Sequence, residues 1–326
     1  MPESGIPLLS PLRYSVSVPS PPPIVLTIAG FDPSSGAGIT ADIKTIAAHD
    51  CYGVACVTAL TVQSTQGVRD VKAVDSGLIT STLQELASDF DIQAVHIGML
   101  GTKAAVRAVG DFLGKAALPH VVLDPILKSS SGAELLDAAG VRAVVDRLFP
   151  LAEVVTPNLA EGAILTGLPL AVGAAAWAAP TPIGPATTLA AVVDSMRDVA
   201  RNLHTLGASN VVVTGGDLEK AIDLLSFTTA RGFEQEVFKA ERHRSSSTHG
   251  TGCAFASALA CHLAHGRGLP EAVLLSKAYV SAAIANAQPL GQGKGPLHHL
   301  YRMTQQRRPS AILTERESAH FTHYRN

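Results

Sequence analysis

The strongest chemical signal in the sequence is Thr248-His249-Gly250-Thr251-Gly252-Cys253, followed by the helix-forming run 254–260. Gly250 and Gly252 let the backbone approach an anion, and the N–H groups that open a helix point at it with the favourable end of the dipole. The pattern, Thr251 included, suits an anion hole for a transferring phosphoryl group. Cys253 falls at that helix start, where a thiol's pKa is expected to drop, which makes it a candidate base for a substrate hydroxyl. The same six residues also describe a capped helix holding a buried, inert cysteine.

Other candidates follow apolar runs. Thr156-Pro157-Asn158-Leu159-Ala160-Glu161 puts an amide and a carboxylate on one helix face, and Glu161 is a candidate to hold magnesium through water. The plainer reading is an Asn158 N-cap closed by Glu161 into a capping box. Asp124 ends His120-Val121-Val122-Leu123, either as an acid on the ligand side of a sheet or as an ordinary Asp-Pro turn. Thr214-Gly215-Gly216 follows Val211-Val212-Val213 and offers backbone amides to a phosphate, or forms only a tight turn. Gln63 carries both donor and acceptor, matching an aminopyrimidine edge, although most such glutamines are exposed polar residues. Gly36-Ala37-Gly38-Ile39-Thr40-Ala41 satisfies a dinucleotide fingerprint, but Cys56-Val57-Thr58-Ala59-Leu60 occupies the region where the ribose-binding acid belongs. It reads as a structural or substrate-facing glycine turn. No Gly-Lys-Ser or Gly-Lys-Thr occurs, which excludes a P-loop. His298-His299 has no further ligand at metal spacing and is expected at the surface.

The elements that must position these residues alternate. Apolar strands are expected at 24–29, 54–62, 94–97, 120–123, 154–155 and 210–213, with helices near 39–48, 77–88, 102–116, 135–147 and 187–206. Such alternation specifies a mostly parallel sheet covered by helices on both faces, with ligands beyond the carboxyl ends of the strands. Residues 1–23 hold seven of the 20 prolines and read as a disordered extension, 170–188 as an inserted loop, and 300–326 as a polar, mobile tail.

Composition narrows the function. The 326 residues are 47% hydrophobic, 16% charged and 5% aromatic, so the core is aliphatic. Twenty-five basic against 27 acidic residues, a net charge of −2, leave no footprint for nucleic acid or an anionic membrane. A small-molecule partner is favoured. No apolar run spans a bilayer and no basic region precedes an apolar leader, so neither a membrane anchor nor secretion is expected. Cys51, Cys56, Cys253 and Cys261 are too widely spaced for a zinc knuckle and too few for a disulfide scaffold, which favours a reducing cytoplasm.

In order along the chain, Thr27-Ile28-Ala29-Gly30, Ala41-Asp42-Ile43-Lys44-Thr45, Thr58 to Gln63, Ile97-Gly98-Met99-Leu100, Val122-Leu123-Asp124-Pro125, Thr156-Pro157-Asn158, Gly250 to Cys253 and Gly295-Pro296-Leu297-His298-His299 resemble the hydroxymethylpyrimidine/phosphomethylpyrimidine kinases. The resemblance runs from residue 24 to 299. It implies a ribokinase-like three-layer α/β/α sandwich, usually dimeric, that uses ATP and Mg2+ to phosphorylate 4-amino-5-hydroxymethyl-2-methylpyrimidine and then its monophosphate. It further implies Gln63 on the pyrimidine, with Asp42 and Gly30 near it and Met99 as an apolar wall. Asp124 and Glu161 are implied around magnesium, Asn158, Thr214, Gly215 and Gly216 beside the nucleotide phosphates, and Cys253 as the base. The chain departs from that family in carrying Thr214-Gly215-Gly216-Asp217 where Lys-Gly-Gly-His is frequent, and in placing Lys128 away from the family's usual lysine. A pyridoxal kinase, or a non-catalytic pyrimidine-binding protein that keeps the fold, are the competing readings.

Overall fold

The computed structural model describes residues 20–129, 132–168, 188–216, 218 and 221–306. In chain order the elements are β1 (Ile24–Phe31), α1 (Gly38–Ala48), β2 (Tyr52–Ser64), β3 (Gly67–Ala73), α2 (Ser76–Asp89), β4 (Ile92–Ile97), α3 (Lys103–Ala116), β5 (Val121–Leu123), α4 (Ala138–Leu148), β6 (Val154–Val155), α5 (Leu159–Thr166), α6 (Leu189–Thr205), β7 (Val211–Thr214), β8 (Ala221–Thr229), β9 (Gly232–Ala240), α7 (Thr251–Ala264), α8 (Leu269–Ala285) and α9 (Tyr301–Gln306). The strands form one sheet in the order β3-β2-β1-β4-β5-β6-β7-β8-β9. From β2 to β7 the neighbours are parallel, while β3, β8 and β9 pair antiparallel at the two ends.

Successive strand residues face opposite sides of a sheet, and the apolar runs feed two cores accordingly. Val211 and Val213 join the layer packed under α2 to α6, whereas Val212 joins the layer under α1, α7 and α8. Side-chain caps start several of the helices: Asp75 for α2, Thr102 for α3, Asp137 for α4 and Thr188 for α6. Helix α7 is buried on nearly every side, which its Ala, Ser and Gly content permits because small side chains let it lie against both the sheet and α8.

The expected parallel core is present, with additions and shifts, among them β8 and α8, which the expected pattern lacked. His120 sits at φ 51°, outside strand geometry, so β5 starts one residue later than the apolar pattern suggests. β3 and β9 were not legible because both are largely exposed edge strands with no apolar stripe to betray them. The tail expected from residue 300 opens instead with α9, whose Tyr301 is buried against Tyr279 with ring centroids 6.1 Å apart. His299 is also buried rather than exposed, and its Nδ1 lies 3.1 Å from Thr45 Oγ1. Most of the expected N-terminal extension, the 170–188 insertion and the tail beyond 306 lie outside the described residues. Among the described residues no helix is long and apolar enough to cross a membrane.

Candidate active site

Strands β2 and β4 flank β1 on opposite sides, so the chain turns outward in both directions from this point. In an open α/β sheet, a ligand crevice forms at the carboxyl ends of such strands. A cavity of about 370 Å³ lies there. It gathers Gly30 and Asp32 after β1, Gln63 near the end of β2, Met99 after β4, Asp124 after β5, Asn158 and Glu161 after β6, Thr214 and Gly216 at β7, and Gly250 to Cys253 at the start of α7.

The start of α7 owes its position to close backbone packing. Gly250 is the N-cap, at φ 81° and ψ 18°, and a Cβ there would fall 1.9 Å from the carbonyl oxygen of Gly36. Only glycine satisfies both the left-handed conformation and that approach. The 36–38 turn therefore packs directly on the anion-hole loop, with the Gly38 backbone close enough to Cys253 to favour its thiolate. The opening N–H groups of α7 precede the first intrahelical acceptors and face the cavity.

Cys253 departs from the expectation of a lowered thiol pKa. Burial pushes the thiol well up, and the charges of Asp124, Asp42 and Glu161 push it further, so the helix start and the Gly38 N–H are outweighed. Asp124 is itself raised by burial and by Glu161. Two carboxylates at the wall of one cavity, Asp124 and Glu161, fit a divalent cation. Among the described residues no group of three or more His, Cys, Asp or Glu is placed to enclose a metal, so such an ion would draw its remaining ligands from water and phosphate.

Asn158 and Glu161 form the capping box as well as lining the cavity: the Asn158 N–H donates to Glu161 Oε2 at 3.0 Å and the Glu161 N–H to Asn158 Oδ1 at 2.8 Å. The capping box of the plainer reading is present, and it fixes the Glu161 rotamer at the cavity wall. Met99 stands against Gly30, where an added Cβ would lie 3.0 Å from its sulfur, and its carbonyl accepts from Thr58 Oγ1 at 2.5 Å.

Two expected site residues lie elsewhere. Asp42 is fully buried behind the cavity rather than beside a ligand; it accepts from Thr27 Oγ1 at 2.8 Å and Ser257 Oγ at 2.9 Å and faces His96 Nδ1 at 3.4 Å. Burial pulls the His96 imidazole down, but Asp42 outweighs it and leaves His96 raised. Gly215 turns away from the cavity, its N–H donating to Asp223 Oδ1 at 3.0 Å, with the Ile222 carbonyl oxygen only 2.3 Å from where a Cβ would sit. Asp217 lies outside the described residues.

The structure adds residues that the sequence pattern did not single out. His249 Nε2 donates to Asp32 Oδ2 at 2.9 Å and lies 3.2 Å from Gln63 Nε2, which sets the pyrimidine-candidate glutamine beside the loop after β1. Asp32 also accepts from the Ser34 N–H and hydroxyl and from the Ala37 N–H at 2.7–3.0 Å. Burial pushes the Asp32 carboxyl up, but the bonds from His249 and Ser34 more than offset it, so its pKa lies below the ordinary 3.8. Lys277 Nζ bonds Asp223 Oδ2 at 2.7 Å, both buried, and Arg242 donates to the Gly216 carbonyl. A lone lysine within the apolar helix α8 was the available signal for Lys277.

Asp32 yields a pH prediction. A carboxyl whose folded pKa is depressed contributes stability above its unfolded pKa and loses that contribution as pH falls through the folded value. Unfolding of Asp32→Asn is therefore expected to show a shallower loss of stability below pH 3.8 than wild type, read by denaturant titrations across the acid range. Parallel wild-type and variant curves through that window contradict the assigned role of Asp32.

The phosphomethylpyrimidine kinase family matches residues 32–180 and 185–298. The chain belongs to that family. A hydroxymethylpyrimidine/phosphomethylpyrimidine kinase of Haemophilus influenzae is 36% identical over 84% of the chain and 96% of its own length. A thiamine biosynthesis bifunctional protein of Geobacter sulfurreducens is 39% identical over 89% of the chain, which spans 54% of that longer protein. Among solved structures, a phosphomethylpyrimidine kinase of Clostridium difficile aligns with a TM-score of 0.66 at 32% identity, covering 80% of the chain and 99% of the other. An ADP complex of Bacillus subtilis pyridoxal kinase aligns at 0.72 with 31% identity, over 86% and 99%. The three-layer α/β/α architecture of this phosphomethylpyrimidine kinase family member is thus the ribokinase-like one, as expected.

Proposed function

We propose that this protein transfers the γ-phosphoryl group of ATP to the hydroxymethyl group of 4-amino-5-hydroxymethyl-2-methylpyrimidine and then to the resulting monophosphate. The observation that carries the reading is the meeting, in one cavity, of the α7 start, the Asp124 and Glu161 pair, and Gln63 beside His249. The Gln63 amide presents a donor and an acceptor to the aminopyrimidine edge, Met99 forms the apolar wall, and the Gly250 to Cys253 N–H groups face the transferring phosphoryl.

Asp124 and Glu161 are the residues that fit Mg2+, which when bound neutralises phosphate charge. Asn158, Thr214 and Gly216 border the nucleotide phosphates, and Lys277 and Arg242 bring the cations that Thr214 does not. Cys253 takes the hydroxyl proton at Sγ. Because the transfer has a loose transition state, the proton leaves late and positioning contributes more than the base.

The proposal includes a homodimer, supported by Leu60 and Val62, exposed apolar side chains on one face of β2. It places the enzyme in the cytoplasm, consistent with four free cysteines. Purified protein incubated with Mg-ATP and either the pyrimidine alcohol or pyridoxal, with products identified by mass, tests it. Phosphorylated pyrimidine is the expected product; exclusive turnover of pyridoxal reassigns the acceptor, and pyrimidine binding without ATP consumption supports a non-catalytic protein.

A further inference from the structure

The segment Gly291-Gln292-Gly293-Lys294-Gly295 lies clamped between two other loops. The Gly293 N–H donates to Thr65 Oγ1 at 3.2 Å and the Lys294 N–H to the Thr65 carbonyl at 2.9 Å. Gln66 Nε2 donates to Gln292 Oε1 at 2.8 Å, the Gly295 N–H donates to the Ser246 carbonyl at 2.9 Å, and the Gly295 carbonyl accepts from the His249 N–H at 3.0 Å. A Cβ on Gly293 would fall 2.0 Å from the Thr65 carbonyl oxygen, so the approach depends on glycine. Five hydrogen bonds thus hold the 292–295 segment, one of them from the Lys294 N–H, joined on one side to the end of β2 beyond Gln63 and on the other to His249. The Lys294 side chain is exposed and lines the mouth of the cavity.

We propose that Lys294 selects the phosphorylated acceptor over the bare alcohol by pairing with the acceptor's phosphate at this mouth. The inference rests on the acceptor assignment above. In the second transfer an oxygen of the acceptor phosphate forms the bond to the γ-phosphorus. The bond from that phosphorus to the β,γ-bridging oxygen breaks, and ADP leaves with the electron pair. A monophosphate dianion has no proton to give up, so this step needs a cation where the first needs a base. The cavity wall already carries Asp32, Asp124, Glu161 and Glu241, carboxylates that disfavour a dianionic acceptor. Lys277 and Arg242 stand at the opposite, β7 end, where they bond Asp223 and Gly216. Lys44 donates to the Ser35 carbonyl and does not line the cavity. Lys294 is the cation whose anchorage is shared with Gln63 and His249.

The test measures kcat and KM for the alcohol and for its monophosphate at saturating Mg-ATP, with full-length wild type, Lys294→Met, Lys294→Arg and Lys128→Met. Lys294→Met is expected to lower kcat/KM for the monophosphate about tenfold, mainly through KM, as befits a charge-assisted contact, while the alcohol's value changes by less than about twofold. Lys294→Arg restores most of the difference, and added salt raises the wild-type KM for the monophosphate more than that of Lys294→Met. Equal effects on both acceptors, no effect on either, or discrimination lost only in Lys128→Met overturns the role of Lys294. A wild type that phosphorylates the alcohol but never its phosphate also overturns it, leaving the kinase reading intact; turnover of neither acceptor sinks both.

Discussion

Replacing Cys253 with alanine is expected to lower kcat for the pyrimidine alcohol by about 10²–10⁴-fold, the range for loss of a positioned general base. Nucleotide affinity, read by titration, is expected to stay within about twofold, because in the proposed mechanism the thiol serves the acceptor's proton while the phosphates meet backbone N–H groups and acids. The direction of the thiol's pKa adds a second signature. Burial and three nearby carboxylates raise it, so the reactive thiolate is scarce near neutrality and its fraction grows with pH. Wild-type kcat should therefore climb on the alkaline side, tenfold per pH unit while the thiol is mostly protonated, and Cys253→Ala should lack this limb. Binding a cation at Asp124 and Glu161 removes two of the charges that raise the thiol, so the limb should begin at lower pH in the Mg-ATP complex than the free protein's thiol titration indicates. Undiminished turnover in the variant, or a wild-type profile flat through the alkaline range, rules out Cys253 as the base.

The second large effect is expected at Gly250. A methyl there meets the Gly36 carbonyl oxygen at 1.9 Å on a backbone at φ 81°, so Gly250→Ala combines left-handed strain with an overlap that only backbone movement relieves. The expected loss of stability is more than about 3 kcal/mol, with turnover falling further because the helix start is displaced from the acids. Gly252 provides the contrast. It is already helical, and a Cβ there would lie 3.5 Å from Asp124 Oδ2, an ordinary contact. Gly252→Ala should keep its stability within about 1 kcal/mol yet lose about tenfold in kcat, since the methyl projects between the anion hole and the carboxylate. Thermal melts and steady-state kinetics on the pair separate the two cases. Equal stability of both variants would falsify the packing of the 36–38 turn on the α7 start.

Much of the molecule was legible in its residues because the physics there is local. Val211-Val212-Val213 can only be a strand buried on both faces, and Thr248 to Cys253 can only open a helix with glycine at its cap. The capping pair Asn158 and Glu161 and the strand-end acid Asp124 follow from the same short-range rules. Edge strands β3 and β9 escaped because exposure on both faces erases the two-residue period. Asp42 looked like a site residue from its place in a matching string, yet its carboxylate is spent inside the core on Thr27, Ser257 and His96.

The sequence by itself determined the alternating α/β order, the helix starts and glycine turns, and the family to which the chain belongs. The elements, helix starts and turns depend on residues within a few positions of one another, where propensity, capping and period act, and the family on such short motifs kept in order along the chain. Only the tertiary structure decided that Cys253 is a high-pKa thiol rather than a low one, since that depends on burial and on carboxylates brought from three other segments. The same holds for Lys277, whose charge is balanced by Asp223 54 positions away, and for Lys294, fixed at the cavity mouth by Thr65 and Ser246. Electrostatic environment and loop anchorage are properties of distances through space, and the chain order carries no record of them until the sheet has closed.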